Sequence, residues 1–278
     1  MSSFVTSPWS SPERLAAVDR YRRQSAAMGR AATDVIVELA AVRPGMKVLD
    51  VATGTGEPAI SLAPLADPLG EVIGIDTAPG PLETARERAS ERRLVNIRFQ
   101  YADVHALPFP DGTFDVVTSR LGIMFFSKLG LALDEMRRVL FPGGHIVLMA
   151  WGGLDQSHYF STTVGTILSA LPGLALPPDA AAVVKFAEPG TLSQALRKAS
   201  FRDVREQLQP IPWIWPGTPE ELWDYFQAAA VPFQGLMNQI PTSRRAEIDA
   251  KVLAAIHRHY DGKQVNFTSR FVVVTAVK

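Results

Sequence analysis

The 278 residues contain no cysteine, which removes thiolate nucleophiles, cysteine zinc sites and disulfides together. They carry no charge of one sign in excess. Lys plus Arg and Asp plus Glu both number 28, so there is no electrostatic footprint for nucleic acid or an anionic bilayer. No run approaches the roughly eighteen apolar residues of a transmembrane helix, and the opening MSSFVTSPWSSPER lacks the basic-then-apolar order of a secretory signal. Histidine is scarce, and no His/carboxylate cluster stands at ligand spacing, so no bound metal is expected. What these absences leave is a cytoplasmic protein with a small-molecule partner, without nucleic acid and without integral membrane association. A homodimer remains open.

What the chain has is the stretch VLDVATGTGEPA, Val48 to Ala59. An apolar run ends in Asp50, a loop of small residues follows with Gly54 and Gly56, and Pro58 stands where a helix can begin. A strand that feeds a glycine-rich turn into a helix N-terminus lets a ligand lie against backbone amides. From Asp34 onward, strand-like runs alternate with amphipathic ones. The strand candidates are 47–51, 71–76, 97–103, 114–119 and 145–151, with helices predicted at 81–93 and 131–140, the latter stopped by Pro142-Gly143-Gly144. Two further strand candidates, 202–208 and 265–277, come late. The alternation predicts an α/β fold with a Rossmann-like, mostly parallel seven-stranded sheet, helices on both faces and the last strand antiparallel.

The domain organisation predicted is an N-terminal helical segment, 1–43, and a core, 44–278, carrying helical cap insertions at about 152–187 and 209–264. Ser11-Pro12-Glu13 reads as a helix start, with a break near Gly29, and Thr218-Pro219-Glu220-Glu221 reads as a capping box. Both insertions leave strands at their carboxyl ends, the edge where ligands bind in open α/β sheets, so they are expected to lie over the cofactor crevice. The second holds the aromatic stretch Ile211–Gly217 followed by Trp223, Tyr225, Phe226, Phe233 and Met237. Aromatics in such a place suit a planar or apolar acceptor.

The loop fits more than one nucleotide. Gly54 to Ala59 matches the G-x-G-x-x-A dinucleotide pattern, and Asp76 lies 22 positions beyond Gly54, where a ribose-binding acid belongs. No Lys-Ser/Thr pair follows, which excludes a P-loop. Charge separates the rest. Asp50, Glu57, Asp76 and Asp103 all fall at or just beyond predicted strand ends, and a pyrophosphate there meets like charge. S-adenosylmethionine, with an ammonium and a sulfonium, suits four carboxylates. A nicotinamide-dependent oxidoreductase is the alternative enzyme, and a non-catalytic cofactor-binding regulator the alternative outside enzymes.

The segments PGMKVLDVATGTGEPAISLA, VIGIDTAPGPLETARERA, YADVHALPFPDGTFDVV, SRLGIMFF and LDEMRRVLFPGGHIVLMAW, with a weaker echo in KFAEPGTLSQALRKASFRDV, carry a resemblance. From about Pro44 to Val204 the chain resembles class I S-adenosylmethionine-dependent methyltransferases, in particular the ubiquinone/menaquinone-biosynthesis C-methyltransferases. The resemblance implies S-adenosylmethionine as cofactor. It implies that Asp50 and the backbone of Ala52, Thr53, Gly54, Thr55 and Gly56 hold the methionine end. Asp76, with Thr77 beside it, would take the ribose hydroxyls. Asp103 and Val104 would take the adenine, and Arg120 and Leu121 would close toward the transferred methyl. Where this chain has Ala52 the family often has glycine, and a modest adjustment is expected there.

Methyl transfer needs alignment, exclusion of water and, for some acceptors, a proton acceptor. His145 begins a strand at the far edge and reads as structural, and His105 follows Asp103 in a loop. His257 and His259 lie two apart on a helix and face different ways. His158, in the insertion after the fifth strand, is the predicted general base. The function expected is methylation of a carbon or oxygen on a small apolar acceptor, aromatic or quinol-like.

Overall fold

A computed structural model describes residues 7–278. Seven strands, β1 (Lys47–Val51), β2 (Glu71–Asp76), β3 (Ile97–Tyr101), β4 (Phe114–Arg120), β5 (Leu140–Trp151), β6 (Arg202–Trp215) and β7 (Val265–Val277), form one sheet in the order β3-β2-β1-β4-β5-β7-β6. β1 pairs in parallel with β2 and β4, β2 with β3, and β4 with β5. Toward β7 the direction reverses: the Lys278 amide meets the Gly144 carbonyl while the Gly152 amide meets the Arg270 carbonyl, each at 2.9 Å. The sheet is mixed, with one antiparallel strand as the alternation of elements predicts. Among the described residues, no helix is long and apolar enough to cross a membrane.

The chain divides into two compact units. One comprises residues 33–150, 188–208 and 272–278. Its central strands are buried almost throughout, which is why β-branched and other apolar residues dominate their middles. In chain order α1 (Pro12–Arg20), α2 (Arg22–Met28) and α3 (Arg30–Ala40) come before β1, and α4 (Ala59–Ala66), α5 (Pro79–Glu91) and α6 (Leu129–Val139) follow β1, β2 and β4. α5 buries Leu82, Ala85 and Ala89, and α6 buries Ala132, Leu133, Met136 and Val139. These spacings of three and four keep one helical stripe against the sheet. Each fully buried Leu, Val or Met contributes about 1.5–3 kcal/mol over its exposed state.

The other unit comprises residues 7–32, 151–187 and 209–271. It is mainly helical. Ser11 caps the helix Pro12–Arg20 through the Arg14 amide. Thr218 and Glu221 close a capping box on the helix Pro219–Ala229. Its core is aromatic: Trp213, Trp215, Phe226, Phe233, Phe267 and Phe271 are all buried. Trp223 joins them and donates its indole N–H to Asp249 at 3.2 Å.

Several boundaries differ from expectation. β6 runs to Trp215, so residues 209–215 are strand and the aromatic stretch is not helical cap. β3 ends at Tyr101, leaving Ala102 and Asp103 in the following turn. α6 ends at Val139, and Pro142 to Gly144 lie within β5 rather than forming the helix stop. The N-terminal helical segment breaks at Tyr21 as well as at Gly29.

Candidate cofactor-binding site

β1 carries Asp50 between its register partners Gly74 on β2 and Thr118 on β4. Its side chain is fully buried, and Oδ1 accepts a 2.7 Å hydrogen bond from the Thr118 hydroxyl. Burial pushes the carboxyl up to about 6, against the pull of the Thr53 and Thr118 hydroxyls and the Arg120 charge. Thr53 lies close enough to oppose the shift, yet neither its Oγ1 nor Asp50 Oδ2 completes a well-formed hydrogen bond. A buried carboxylate oxygen with no donor is costly in isolation.

The loop after β1 is fixed at both ends. The Thr53 amide donates to the Ile75 carbonyl and the Gly56 amide to the Thr53 carbonyl, both at 2.9 Å. Asp76, at the end of β2, accepts the Gly54 amide on Oδ2 and the Ala78 amide on Oδ1, both at 2.9 Å. Gly56 holds φ +103°, which side-chain-bearing residues rarely adopt, and a Cβ there would sit 2.5 Å from Ile60 Cδ1 and 3.2 Å from the Ala85 methyl, so Ile60 would have to turn aside. Gly54 faces open space, with no atom within 4 Å of where its Cβ would be. Ala52 adopts a left-handed φ of +56°, which glycine takes at less cost. The Thr55 carbonyl accepts from Arg88 at 2.6 Å. Thr77 is exposed beyond Asp76.

Glu57 is a correction. It does not contribute a free carboxylate to the crevice. Its Oε2 accepts from the Ser61 hydroxyl at 2.7 Å, and its Oε1 pairs with Arg88 at 3.4 Å and Arg92 at 3.6 Å. Its charge is spent holding α4 to α5, so three acids rather than four remain for a cation. Arg88 is the residue that sequence reasoning missed here, because its partner lies 31 positions away.

After β3, Asp103 accepts both the His105 amide at 2.9 Å and His105 Nδ1 at 2.6 Å. These bonds, the amide first, hold its carboxyl below the usual range. His105 Nε2 accepts the Lys128 amide, which fixes the ring with its proton on Nδ1. Val104 is buried beside it. After β4, Arg120 donates to the Thr33 hydroxyl at 2.8 Å. The Leu121 amide bonds the Met149 carbonyl at 2.9 Å while its own φ is +62°. Asp50, Asp76, Asp103 and Arg120 therefore all stand at or just past strand carboxyl ends, in one compact unit.

The histidines sort by environment. His145 Nε2 meets the Ala40 carbonyl at 3.0 Å, and burial lowers its affinity for a proton. His257 bonds Glu220 at 2.9 Å. His158 belongs to the helical unit, exposed, with Nδ1 accepting the Thr268 amide at 3.3 Å. Its ring centroid is 4.7 Å from that of His259, a pairing 101 positions apart in sequence that no local pattern signals. Burial, and then the His158 charge, lower the His259 pKa.

The residues present fit S-adenosylmethionine: a buried, unsatisfied carboxylate oxygen at Asp50, open space over Gly54, and a half-buried acid at Asp76. Sheet order, glycine-rich loop and strand-end acids together define a Rossmann-like S-adenosylmethionine-dependent methyltransferase. Comparison with known proteins agrees. The model of the ubiE/COQ5 methyltransferase family matches residues 25–163, and a demethylmenaquinone methyltransferase of Deinococcus radiodurans is 39% identical over 56% of this chain and 68% of its own length. The chain belongs to the ubiE/COQ5 methyltransferase family. A ubiquinone/menaquinone biosynthesis C-methyltransferase of Burkholderia cenocepacia is 41% identical over 48% of this chain and 56% of its own, so the chain spans little more than half of that relative. A solved S-adenosylmethionine-dependent methyltransferase from Aquifex aeolicus shares the fold, with a TM-score of 0.53 at 19% identity over 71% of this chain and 92% of the other. The oxidoreductase alternative finds no support in these relatives.

Proposed function

We propose that the protein transfers a methyl group from S-adenosylmethionine to a ring carbon or oxygen of a small apolar acceptor, aromatic or quinol-like. The observation that carries this reading is the family match over residues 25–163 joined to the strand-end acids of the same segment. The names of the relatives point to quinone-type rings.

Bound S-adenosylmethionine supplies a methyl already activated by its sulfonium. In this reading the chain's residues do the rest. Asp76 accepts the ribose hydroxyls with lone pairs not used by the Gly54 and Ala78 amides. Asp103 and the Val104 backbone receive the adenine. Ala52 to Gly56, with Thr77 nearby, shape the loop, and Arg120 and Leu121 flank the methyl. Asp50, with no exposed surface, acts through its charge beneath the loop rather than by direct touch. His158 takes the acceptor's proton. Its Nδ1 bond from Thr268 is 3.3 Å, at the long end of the range, so freeing that lone pair costs about 1 kcal/mol. We place the reaction in the cytoplasm, and the balanced charge of the chain offers no footprint for a nucleic-acid partner. A homodimer is compatible with it.

The test is S-adenosylhomocysteine release from S-adenosylmethionine with a panel of naphthoquinols, benzoquinols, phenols and amines. Release with the quinols or phenols supports the reading. Tight NAD(P) binding without any response to S-adenosylhomocysteine overturns it, and cofactor binding without turnover on any acceptor favours a regulator.

A further inference from the structure

Asp103 and Asp76 use their oxygens differently. At Asp76 each oxygen takes one backbone amide. At Asp103 a single oxygen takes both donors: Oδ1 accepts the His105 amide at 2.9 Å and the His105 ring at 2.6 Å, through Nδ1. A carboxylate oxygen has two lone pairs, so its own chain fills Oδ1 and leaves Oδ2 to a ligand. The Asp103 side chain is 57% exposed, so packing does not fix its rotamer. These two bonds set the direction in which Oδ2 points.

The amide bond is a local turn. The ring bond demands more, because the imidazole must hold one plane and carry its proton on one nitrogen. Both conditions are met from outside the turn. The Lys128 amide donates to Nε2 at 3.2 Å, which leaves the proton on Nδ1, facing Oδ1. Phe126 stands edge-on to the imidazole, 6.4 Å away between centroids at 76°. The histidine side chain keeps only 18% exposure.

Pinning the loop would be the ordinary use of such a ring, but the loop has other anchors. The Leu107 amide donates to Glu135 Oε2 at 2.7 Å. Arg138 donates to the Leu107 carbonyl at 3.0 Å and to the Phe109 carbonyl at 2.8 Å. These bonds tie residues 107–109 to α6 without His105, and Val104 is buried on its own account. What the ring adds is its grip on Oδ1.

We infer that His105 is a positioning residue for the base of the cofactor: it aims Asp103 Oδ2 at an exocyclic amino group and so selects a 6-aminopurine over a 6-oxopurine. The inference rests on the proposed placing of the adenine at Asp103 and deepens it. A 6-oxo group brings an acceptor where the carboxylate needs a donor, and a site built for a donor rejects such an analogue. A carboxylate free to rotate would swing away from that oxygen, whereas a fixed one cannot. Base preference, and not affinity alone, therefore depends on His105.

The experiment titrates S-adenosylhomocysteine and S-inosylhomocysteine calorimetrically against the full chain. Two variants divide the ring between them. His105→Asn keeps a donor where Nδ1 stands and leaves the Lys128 amide unserved. His105→Gln keeps an acceptor where Nε2 stands and withdraws the donor from Asp103. The wild type should prefer S-adenosylhomocysteine by about tenfold or more. His105→Gln should cut that preference about two- to tenfold, the worth of one hydrogen bond, while His105→Asn stays within about twofold of the wild type. A ring that merely pins the loop predicts the reverse order, so the reverse order overturns the inference. Equal loss in both variants, or wild-type preference in His105→Gln, overturns it too. Asp103→Asn separates this failure from that of the adenine placement. Lost preference in Asp103→Asn with none lost in His105→Gln sinks the inference alone, whereas wild-type preference in Asp103→Asn sinks both. Binding with the expected preferences but no acceptor methylated spares the inference and sinks the proposed function.

Discussion

Ala52 and Gly122 occupy one space between them: a Cβ on Gly122 would lie 2.4 Å from the Ala52 methyl. The methyl that the family often lacks at Ala52 is accommodated because the residue facing it has no side chain. Ala52 also holds a left-handed φ of +56°. Gly122→Ala should therefore destabilise the fold by about 1–3 kcal/mol through overpacking. Ala52→Gly should be neutral or stabilise by about 1 kcal/mol, and the double variant should recover most of the loss. Denaturant titration of the four proteins reads the coupling, and simple additivity would show that the two positions do not share space.

Asp76 accepts the Gly54 amide of the loop after β1 and the Ala78 amide of its own following turn. Asp76→Ala should weaken S-adenosylhomocysteine binding by about 1–3 kcal/mol, since it removes a charged acceptor and frees the Gly54 amide. Calorimetry at fixed pH measures this, and unchanged affinity would mean the ribose lies elsewhere.

For Asp50 the sign follows from burial. Its folded pKa of about 6 exceeds the ordinary aspartate value of about 3.9, so the folded chain holds this proton more tightly than the unfolded one. The group's contribution to stability is full below the unfolded value and declines as pH rises through about 6. A cationic cofactor prefers the ionised form, so S-adenosylmethionine affinity should rise across the same window and level off above it. Asp50→Asn should flatten both profiles, as followed by thermal melts and binding between pH 4 and 8. A wild-type pH profile that the variant leaves unaltered would remove Asp50 as the titrating group.

His158→Ala should lower turnover at least tenfold while leaving cofactor affinity unchanged, given that positioned general bases contribute about 10²–10⁴. Single-turnover assays on an unmethylated acceptor that the wild type turns over read this directly. Wild-type rates would leave the proton to another group.

The central sheet is legible because β1, β2 and β4 are buried almost throughout and carry the short runs Val48-Leu49, Val72-Ile73 and Val116-Val117, with Asp50, Asp76 and Arg120 at or next to their ends. The strand pattern of β6 breaks off early in the sequence for a physical reason. Pro210 and Pro212 interrupt its pattern, and proline is tolerated in a strand only where no neighbour needs its N–H. β6 is an edge strand of the sheet. Strand-end position revealed Asp50, Asp76 and Asp103 as a group, but not which charges were already spent. Glu57 looks like its neighbours until Arg88, on another helix, is brought against it. The same holds for His158 and His259, whose meeting depends on tertiary packing alone.

The double amide grip on Asp76 has a consequence for how this site can change. In a loop where the ribose acid stood alone, one substitution could retune nucleotide preference and leave the glycine turn intact. In the proposed site the acid is also the turn's anchor through the Gly54 amide, so replacing it should deform the surface proposed to face the rest of the cofactor. Preference and loop shape are bound to vary together, and a switch to a different nucleotide would have to pass through a chain that holds neither one well.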